Sequence, residues 1–336
     1  MITPKNEPSF DLLDQIDTWG LKYCTFFTAL ELNLFTIIHS GNHSLSQIAK
    51  VAKSNQRGVR AILEALCSLG LLKKHKSQYH LTATSKAFLV RGSPTCSVDF
   101  YLAHWPSRAH LTDSVRTGKP QINIRLSDYE QMWADYTAID LLYWQEKAQM
   151  ARERWQELGI TSTTNIRILD AACGSGIYSF VCAQDDPTVQ VTCLDLPKVL
   201  KVSEKLAIKL KIKNQVKFIP GDLLQVQLPH QHFDVVWFGA ILYYFSPEEL
   251  NFLFLKTKNC LKPGGRVVIR SVSAGEDDPQ DEMALLLQVE MVHLTETSYI
   301  YNFLEYKKFL EHAGFGQVRR HSNLLVSAIK QKGMLQ

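Results

Sequence analysis

The chain has 336 residues, enough for two domains or one large domain with an extension. Apolar residues make up 46% and charged residues 21%, which argues against a disordered, collagen-like or low-complexity polymer. The net charge of +4, from 37 Lys and Arg against 33 Asp and Glu, is too mild for a nucleic-acid or membrane-surface footprint.

Residues 10–96 read as short helices ending in a hairpin. Leu12, Ile16, Trp19, Tyr23, Phe26 and Phe27 recur at helical spacing, and Leu30, Leu32 and Leu34 continue the stripe. Ser44 is a fitting N-cap for SLSQIAKV, and Ser54 is expected to cap the next helix, which stops at Gly70. LLKKH and QYHLT then flank Lys76–Ser77, and helix, helix, hairpin is the winged-helix order. Residues 97–160 are aromatic-rich, with Phe100, Tyr101, Trp105, Tyr129, Trp133, Tyr136, Tyr143 and Trp144 within 48 residues. They are expected to form helices broken at Pro106 and at Gly118–Pro120.

From residue 165 strands alternate with helices. The candidate strands are 166–169, 189–194, 216–220, 233–238, 266–271, 316–321 and 324–329, several of them unbroken apolar runs suited to burial on both faces. This predicts an α/β fold: a doubly wound, Rossmann-like sheet with right-handed crossovers, closed by a C-terminal antiparallel hairpin. Lys198, Lys201, Lys205, Lys209, Lys211 and Lys213 read as a solvated helix face. The seven cysteines (Cys24, Cys67, Cys96, Cys173, Cys182, Cys193 and Cys260) form no CxxC pair and mostly sit in apolar runs, which implies reduced thiols in a cytoplasmic protein. The start MITPKNEPSFDLLDQ shows no signal pattern, and the longest apolar run, 235–245, is too short for a bilayer.

The stretch IRILDAACGSGIYSF is a strand running into a helix, with Gly174 and Gly176 at the turn, where small residues let a cofactor lie against backbone. A dinucleotide fingerprint asks for glycine at 179, where Ser179 stands. The next strand ends in Asp195, placed to accept from ribose hydroxyls. Either NAD or S-adenosylmethionine fits this much. Gly221-Asp222-Leu223, then FDVVWFGAILYYFSPEE, then LKPGGRVVI, follow in order.

Together, over residues 165–330, these runs resemble the class I S-adenosylmethionine-dependent methyltransferases. The whole chain, through ALELNLFTII, the winged-helix segment and LEYKKFLEHAGF, resembles the winged-helix O-methyltransferases, the caffeate and hydroxyindole enzymes among them. The resemblance implies a dimerisation domain over 1–100, a helical linker and substrate-pocket wall over 101–160, and a catalytic domain over 161–336. It also implies S-adenosyl-L-methionine as cofactor, a homodimer, and a partner chain helping to close the pocket. Carried over position by position, Ala172 and Gly174, with Gly176 in the same turn, meet the methionine part, and Asp195 with Leu196 meets the ribose. Asp222 and Leu223 hold the adenine, and Gly239, where plant relatives have lysine, offers a backbone contact. Asp170 is open between a cofactor role and a turn-stabilising one.

The family's base apparatus is missing. Tyr243 stands at the position of the catalytic His, and Ser271 and Ile300 stand where two orienting glutamates belong. Tyrosine there also resembles the bacteriochlorophyllide carbon methyltransferase. With an ordinary pKa near ~10 it is a poor base, so Tyr243 is read as positioning the nucleophile. His293, on the helix after the fifth strand, and His104 and His110, in the aromatic zone, are the alternative bases. Asp277, Asp278 and Asp281 read as a solvated loop rather than a metal site. The expected activity is methyl transfer to a small aromatic or apolar acceptor through oxygen, with nitrogen or carbon methylation as the alternative. A winged-helix DNA-binding regulator and a cofactor-binding protein without transfer stand as further alternatives. Arg57 and Arg60 are too few donors for groove readout, so neither nucleic acid nor membrane is an expected partner.

Overall fold

In the computed structural model the chain divides into two compact units, Met1–Pro106 and Ser107–Gln336. The structure describes residues 10–120, 126–160, 165–271, 282–296, 298–322 and 325–331.

The first unit runs α1 (Asp11–Glu31), α2 (Leu34–His39), α3 (Leu45–Val51), α4 (Gln56–Ser68), β1 (Leu72–His75), β2 (Gln78–Leu81) and α5 (Ala83–Phe88). Ser44 caps α3 in a reciprocal box with Gln47. The cap of α4 is Asn55, not Ser54. The Asn55 side chain accepts from the Arg57 N–H, whereas the Ser54 hydroxyl donates back to the Ala52 carbonyl. Gly70 ends α4 at φ +73°, and Lys76 and Ser77 are both left-handed, the conformation a two-residue hairpin turn requires. Leu30, Leu34, Phe35, Ile48, Leu63 and Leu66 pack with Leu72 and Tyr79 in one core. Several apolar residues of α1, among them Leu12, Leu13, Ile16 and Trp19, are exposed.

The helix α6 (Val98–Ala109) continues through Pro106, so the expected break there does not occur. Packing outweighs the lost hydrogen bond. Trp105 stacks on Phe27 at 4.8 Å, and Tyr101 meets Phe26 edge-on at 5.2 Å.

The second unit continues with α7 (Leu111–Thr117), α8 (Glu130–Ala138), α9 (Trp144–Glu157), β3 (Arg167–Ala171), α10 (Ile177–Asp185), β4 (Gln190–Asp195), α11 (Pro197–Lys209) and β5 (Val216–Pro220). It ends with β6 (Phe233–Gly239), α12 (Pro247–Cys260), β7 (Leu261–Arg270), α13 (Glu282–Leu294), α14 (Phe303–His312), β8 (Phe315–Ser322) and β9 (Leu325–Lys330). The sheet order is β5-β4-β3-β6-β7-β9-β8. The strands β3 to β7 are mutually parallel, and β9 runs antiparallel to both β7 and β8. All seven predicted strands are present.

Alternation along β6 feeds two cores. Val236 and Phe238 join Leu169, Phe254 and Ile269 on one face. Val235 and Trp237 join Trp155, Phe180 and Val268 on the other. From β3 the chain winds outward through β4 and β5, then returns to build β6 and β7 on the opposite side. The carboxyl ends of β3 and β6 therefore border the switch point, where open α/β sheets bind ligands. The six lysines of the α11 region are all exposed, as expected of a solvated face. All seven cysteines are free, but Cys24 is exposed. Among the described residues no helix is long and apolar enough to cross a membrane.

Candidate functional site

The loop between β3 and α10 is a run of left-handed backbone. Ala172, Gly174 and Gly176 have φ of +58°, +55° and +79°. A Cβ on Gly176 would lie 2.4 Å from the Phe180 ring, so only glycine fits. A Cβ on Gly174 would come within 3.8 Å of Thr137, which shows that α8 passes over this loop. Bonds fix the turn from below: Ser175 Oγ donates to Asp140 at 2.7 Å, and Ser203 Oγ donates to the Gly174 carbonyl at 2.5 Å.

Asp170 sits beneath the turn, 2% exposed, and accepts from the Ser179 hydroxyl. The residue that breaks the glycine fingerprint is thus its partner. Burial pushes the Asp170 carboxyl up to about 7, against the pull of the Ser179 bond and with a further push from Asp195.

Asp195 closes β4. Its two oxygens accept from the Gly174 N–H at 2.8 Å and the Leu196 N–H at 2.7 Å. Burial pushes it up to about 6 in spite of these bonds. Asp222, just after β5, is half-buried and accepts from the Leu224 N–H at 2.7 Å. Leu223 is buried, and its carbonyl accepts from Lys256 Nζ at 2.8 Å. Leu196 packs with Trp133 and Val199. Two strand-end carboxylates, a turn of small residues and two leucines make a set that fits an adenosine-containing cofactor.

On the other side of the switch point, Gly239 ends β6, and a Cβ there would meet only the Trp237 indole, at 3.2 Å from Nε1. Tyr243 lies in a single 3-10 turn (Leu242–Tyr244) and packs on Tyr244 at 4.7 Å. Burial, with Tyr136 adding to it, pushes its hydroxyl up to about 12, although Arg270 pulls the other way. That is the wrong direction for a base. Tyr129, Tyr243 and Tyr244 pack against a cluster of Met291, Leu294 and Ile300, and Trp133 meets Tyr244 edge-on at 5.6 Å. Part of the aromatic zone thus gathers around Tyr243.

His293 is 1% exposed on α13. Its Nε2 is 3.1 Å from Glu290 Oε2, and its Nδ1 is buried without a hydrogen-bond partner. Arg108 grips the same Glu290 at 3.0 and 2.6 Å. Burial would raise the Glu290 carboxyl, but the bonds from His293 and Arg108 win and hold it down at about 2. A carboxylate-held histidine therefore exists here, on a different element from the one the family pattern uses. His104 stands on α6, but its side chain lies outside the described residues, as do Asp277, Asp278 and Asp281. His110 is exposed beside Asp113. Ser271 accepts from the Tyr306 hydroxyl at 3.3 Å, and Ile300 is fully buried, so neither position supplies a carboxylate. Among the described residues no cluster could hold a metal.

Nothing in the sequence pattern marks Arg108, Trp237 or Arg270, and little marks Glu290. The i, i+3 spacing of Glu290 and His293 was the one available signal.

Similarity to known proteins follows the same lines. A family model described as an O-methyltransferase domain matches residues 109–316, and an O-methyltransferase dimerisation domain matches residues 21–91. The tetracenomycin polyketide synthesis 8-O-methyl transferase TcmO of Streptomyces glaucescens is 26% identical over 87% of this chain and 87% of its own. The L-tyrosine C(3)-methyltransferase of Streptomyces lavendulae is 28% identical over 85% of this chain and 81% of its own. The crystal structure of human N-acetylserotonin methyltransferase with S-adenosylmethionine superposes with a TM-score of 0.67 at 19% identity, covering 98% of this chain and 100% of that one. The ordered strand ends, the left-handed loop and the matched domains lead to one assignment: the chain belongs to the O-methyltransferase family.

Proposed function

We propose that the protein transfers a methyl group from S-adenosyl-L-methionine to an oxygen of a small aromatic acceptor. The observation that carries this reading is the left-handed loop at 172–176, clasped to Asp195, together with an aromatic cluster packed on α13, the helix that also carries a carboxylate-bound histidine. S-adenosylmethionine, when bound, supplies an activated methyl group on a sulfonium.

The chain's own residues do the rest. Ala172, Gly174 and Gly176 admit the methionine part against bare backbone. Asp195 and Leu196 hold the ribose, Asp222 and Leu223 the adenine, and Gly239 offers backbone. Asp170 supports the turn through Ser179 rather than touching the cofactor. Tyr129, Trp133 and Tyr244 exclude water from the acceptor, and Tyr243 orients its oxygen by hydrogen bonding. His293 Nδ1 takes the acceptor's proton while Glu290 holds Nε2–H, fixing the tautomer. Holding nucleophile and methyl near ~3 Å supplies much of the rate.

The expected assembly is a homodimer through a winged-helix-like domain over 1–100, where the exposed apolar residues of α1 fit a second copy. Residues 101–160 contribute Tyr129 and Trp133 to the acceptor side, and 161–336 form the catalytic domain. The setting is cytoplasmic secondary metabolism.

A carbon acceptor is the second reading, favoured by Tyr243 in place of a base and by the L-tyrosine C(3)-methyltransferase among the relatives. Purified protein is expected to convert S-adenosylmethionine to S-adenosylhomocysteine in the presence of a phenol from an aromatic panel. Replacing Tyr243 by Phe should cut kcat/KM by about tenfold, the size of one positioning hydrogen bond. Tight cofactor binding with no turnover across phenols, amines and electron-rich rings sinks the transfer reading.

A further inference from the structure

Trp237 Nε1 and Arg270 Nε are both buried, and neither has an acceptor. Both groups rest on the same ring: the Arg270 guanidinium carbon lies 4.8 Å from the Tyr178 centroid, and the Trp237 ring stacks on Tyr178 at 5.5 Å. Both also border Gly239. Arg270 pairs with Gly239 in the β6–β7 register, and Trp237 Nε1 would be the nearest atom to a Cβ built on that glycine. Among the described residues, nothing beyond the Trp237 indole and Gly239's chain neighbours comes within 4 Å of that point. Among the described residues no carboxylate pairs with Arg270. Of the site carboxylates, Asp170, which pairs with Trp237 in the β3–β6 register, is held by the Ser179 hydroxyl, and Asp195 and Asp222 lie at the β4 and β5 ends, bonded to backbone N–H groups there.

A buried N–H without an acceptor is costly, and a half-buried cation without a counter-charge more so. Native chains keep such groups where a ligand completes them. We infer that Arg270, assisted by the Trp237 indole N–H over the bare backbone of Gly239, binds an oxyanion of a bound reactant. Guanidinium is the group best matched to a carboxylate or a phenolate. The oxyanion has two sources: the amino-acid carboxylate of the cofactor, or an anionic oxygen of the aromatic acceptor. This rests on the methyltransferase reading above, and it adds a binding residue which that reading does not use.

The test compares wild type, Arg270→Met, Arg270→Lys and Trp237→Phe by calorimetry. One arm titrates S-adenosylhomocysteine, which bears the carboxylate, against 5′-methylthioadenosine, which lacks the amino-acid tail. The other arm saturates the protein with S-adenosylhomocysteine and titrates 2-naphthoate against neutral 2-naphthamide. Arg270→Met is expected to weaken one anionic probe about tenfold or more and leave its neutral counterpart unchanged. Arg270→Lys should recover part of the loss, and Trp237→Phe should give a smaller loss on the same probe. The arm that responds identifies the source. Unchanged affinity for both anions in Arg270→Met overturns the inference, and so does an equal loss of anionic and neutral probes, which marks a structural role. Wild-type protein that binds neither nucleoside breaks the methyltransferase reading itself, whereas binding of both with an indifferent Arg270→Met breaks only this one.

Discussion

The two halves of the sheet's carboxyl edge differ in how complete they are. At the β3–β4–β5 half, the polar groups already have partners within the chain: Asp195 on Gly174 and Leu196, Ser175 on Asp140, Asp222 on Leu224, Asp170 on Ser179. At the β6–β7 half and over it, Trp237 Nε1, Arg270 Nε and His293 Nδ1 are buried with no hydrogen-bond partner among the described residues, and so is Trp133 Nε1 on α8, which reaches both halves. The first half is a cradle finished before any ligand arrives. The second is finished by whatever binds. On the proposed function, one fold thus separates a fixed task, holding a nucleoside cofactor, from a variable one, choosing an acceptor.

The largest expected effect comes from breaking the unfinished half. His293→Gln keeps a polar side chain of similar reach but removes the base, so kcat should fall by roughly 10²–10⁴-fold. Affinity for S-adenosylhomocysteine should stay at the wild-type level. Initial rates with a reacting phenol, beside a calorimetric titration, check both. A fall in cofactor affinity of the same size would mean the two halves are not independent.

Asp195→Ala breaks the finished half instead. It strands the N–H groups of Gly174 and Leu196 and removes the acceptor for the ribose. The stranded donors lower stability, and losing a charged acceptor for the ribose hydroxyls, worth about 1.5–3 kcal/mol, should weaken S-adenosylhomocysteine binding by about a hundredfold. The same titration reads it. If the loss is less than about fivefold, Asp195 is only a brace for the loop.

The contrast also governs how much the sequence revealed. Loop glycines and strand-end carboxylates act through backbone geometry tied to position, so Gly174, Gly176 and Asp195 stood out as candidates from the strand-to-helix pattern, and the family resemblance added Asp222. The strands were legible because burial on both faces leaves unbroken apolar runs such as VVWF. The acceptor half depends on side chains from distant elements. Arg108 and Glu290 meet across 182 residues, and nothing local in either segment announces the pair. Arg270 looks like a strand-end charge bound for solvent; only the neighbouring Tyr178 and Gly239 show it turned inward. Pro106 argues locally for a break, but the stack of Trp105 on Phe27, which no local pattern announces, holds α6 together.

The smallest effect concerns Asp170, and its sign separates support from contact. Burial disfavours the charge and pushes its folded carboxyl up to about 7, from an ordinary value of 3.8. Between those values the folded chain holds a proton that the unfolded chain has lost. Its contribution to stability is therefore fully present below about 4 and disappears as pH rises through about 7. Asn offers the same shape and an oxygen for the Ser179 hydroxyl, but no charge. Asp170→Asn should thus unfold at a temperature equal to or above wild type at pH 8, and the wild type should gain on the variant as pH falls towards 5. Thermal melts of the ligand-free protein across that range measure the difference. Asp195, held at about 6, contributes in the same direction in both proteins, and only its push on Asp170 is lost in the variant. Cofactor affinity of the variant should stay within about threefold of wild type, since Asp170 acts only through Ser179. A larger loss would place its carboxylate on the cofactor itself, and the finished half would then also need its ligand to be complete.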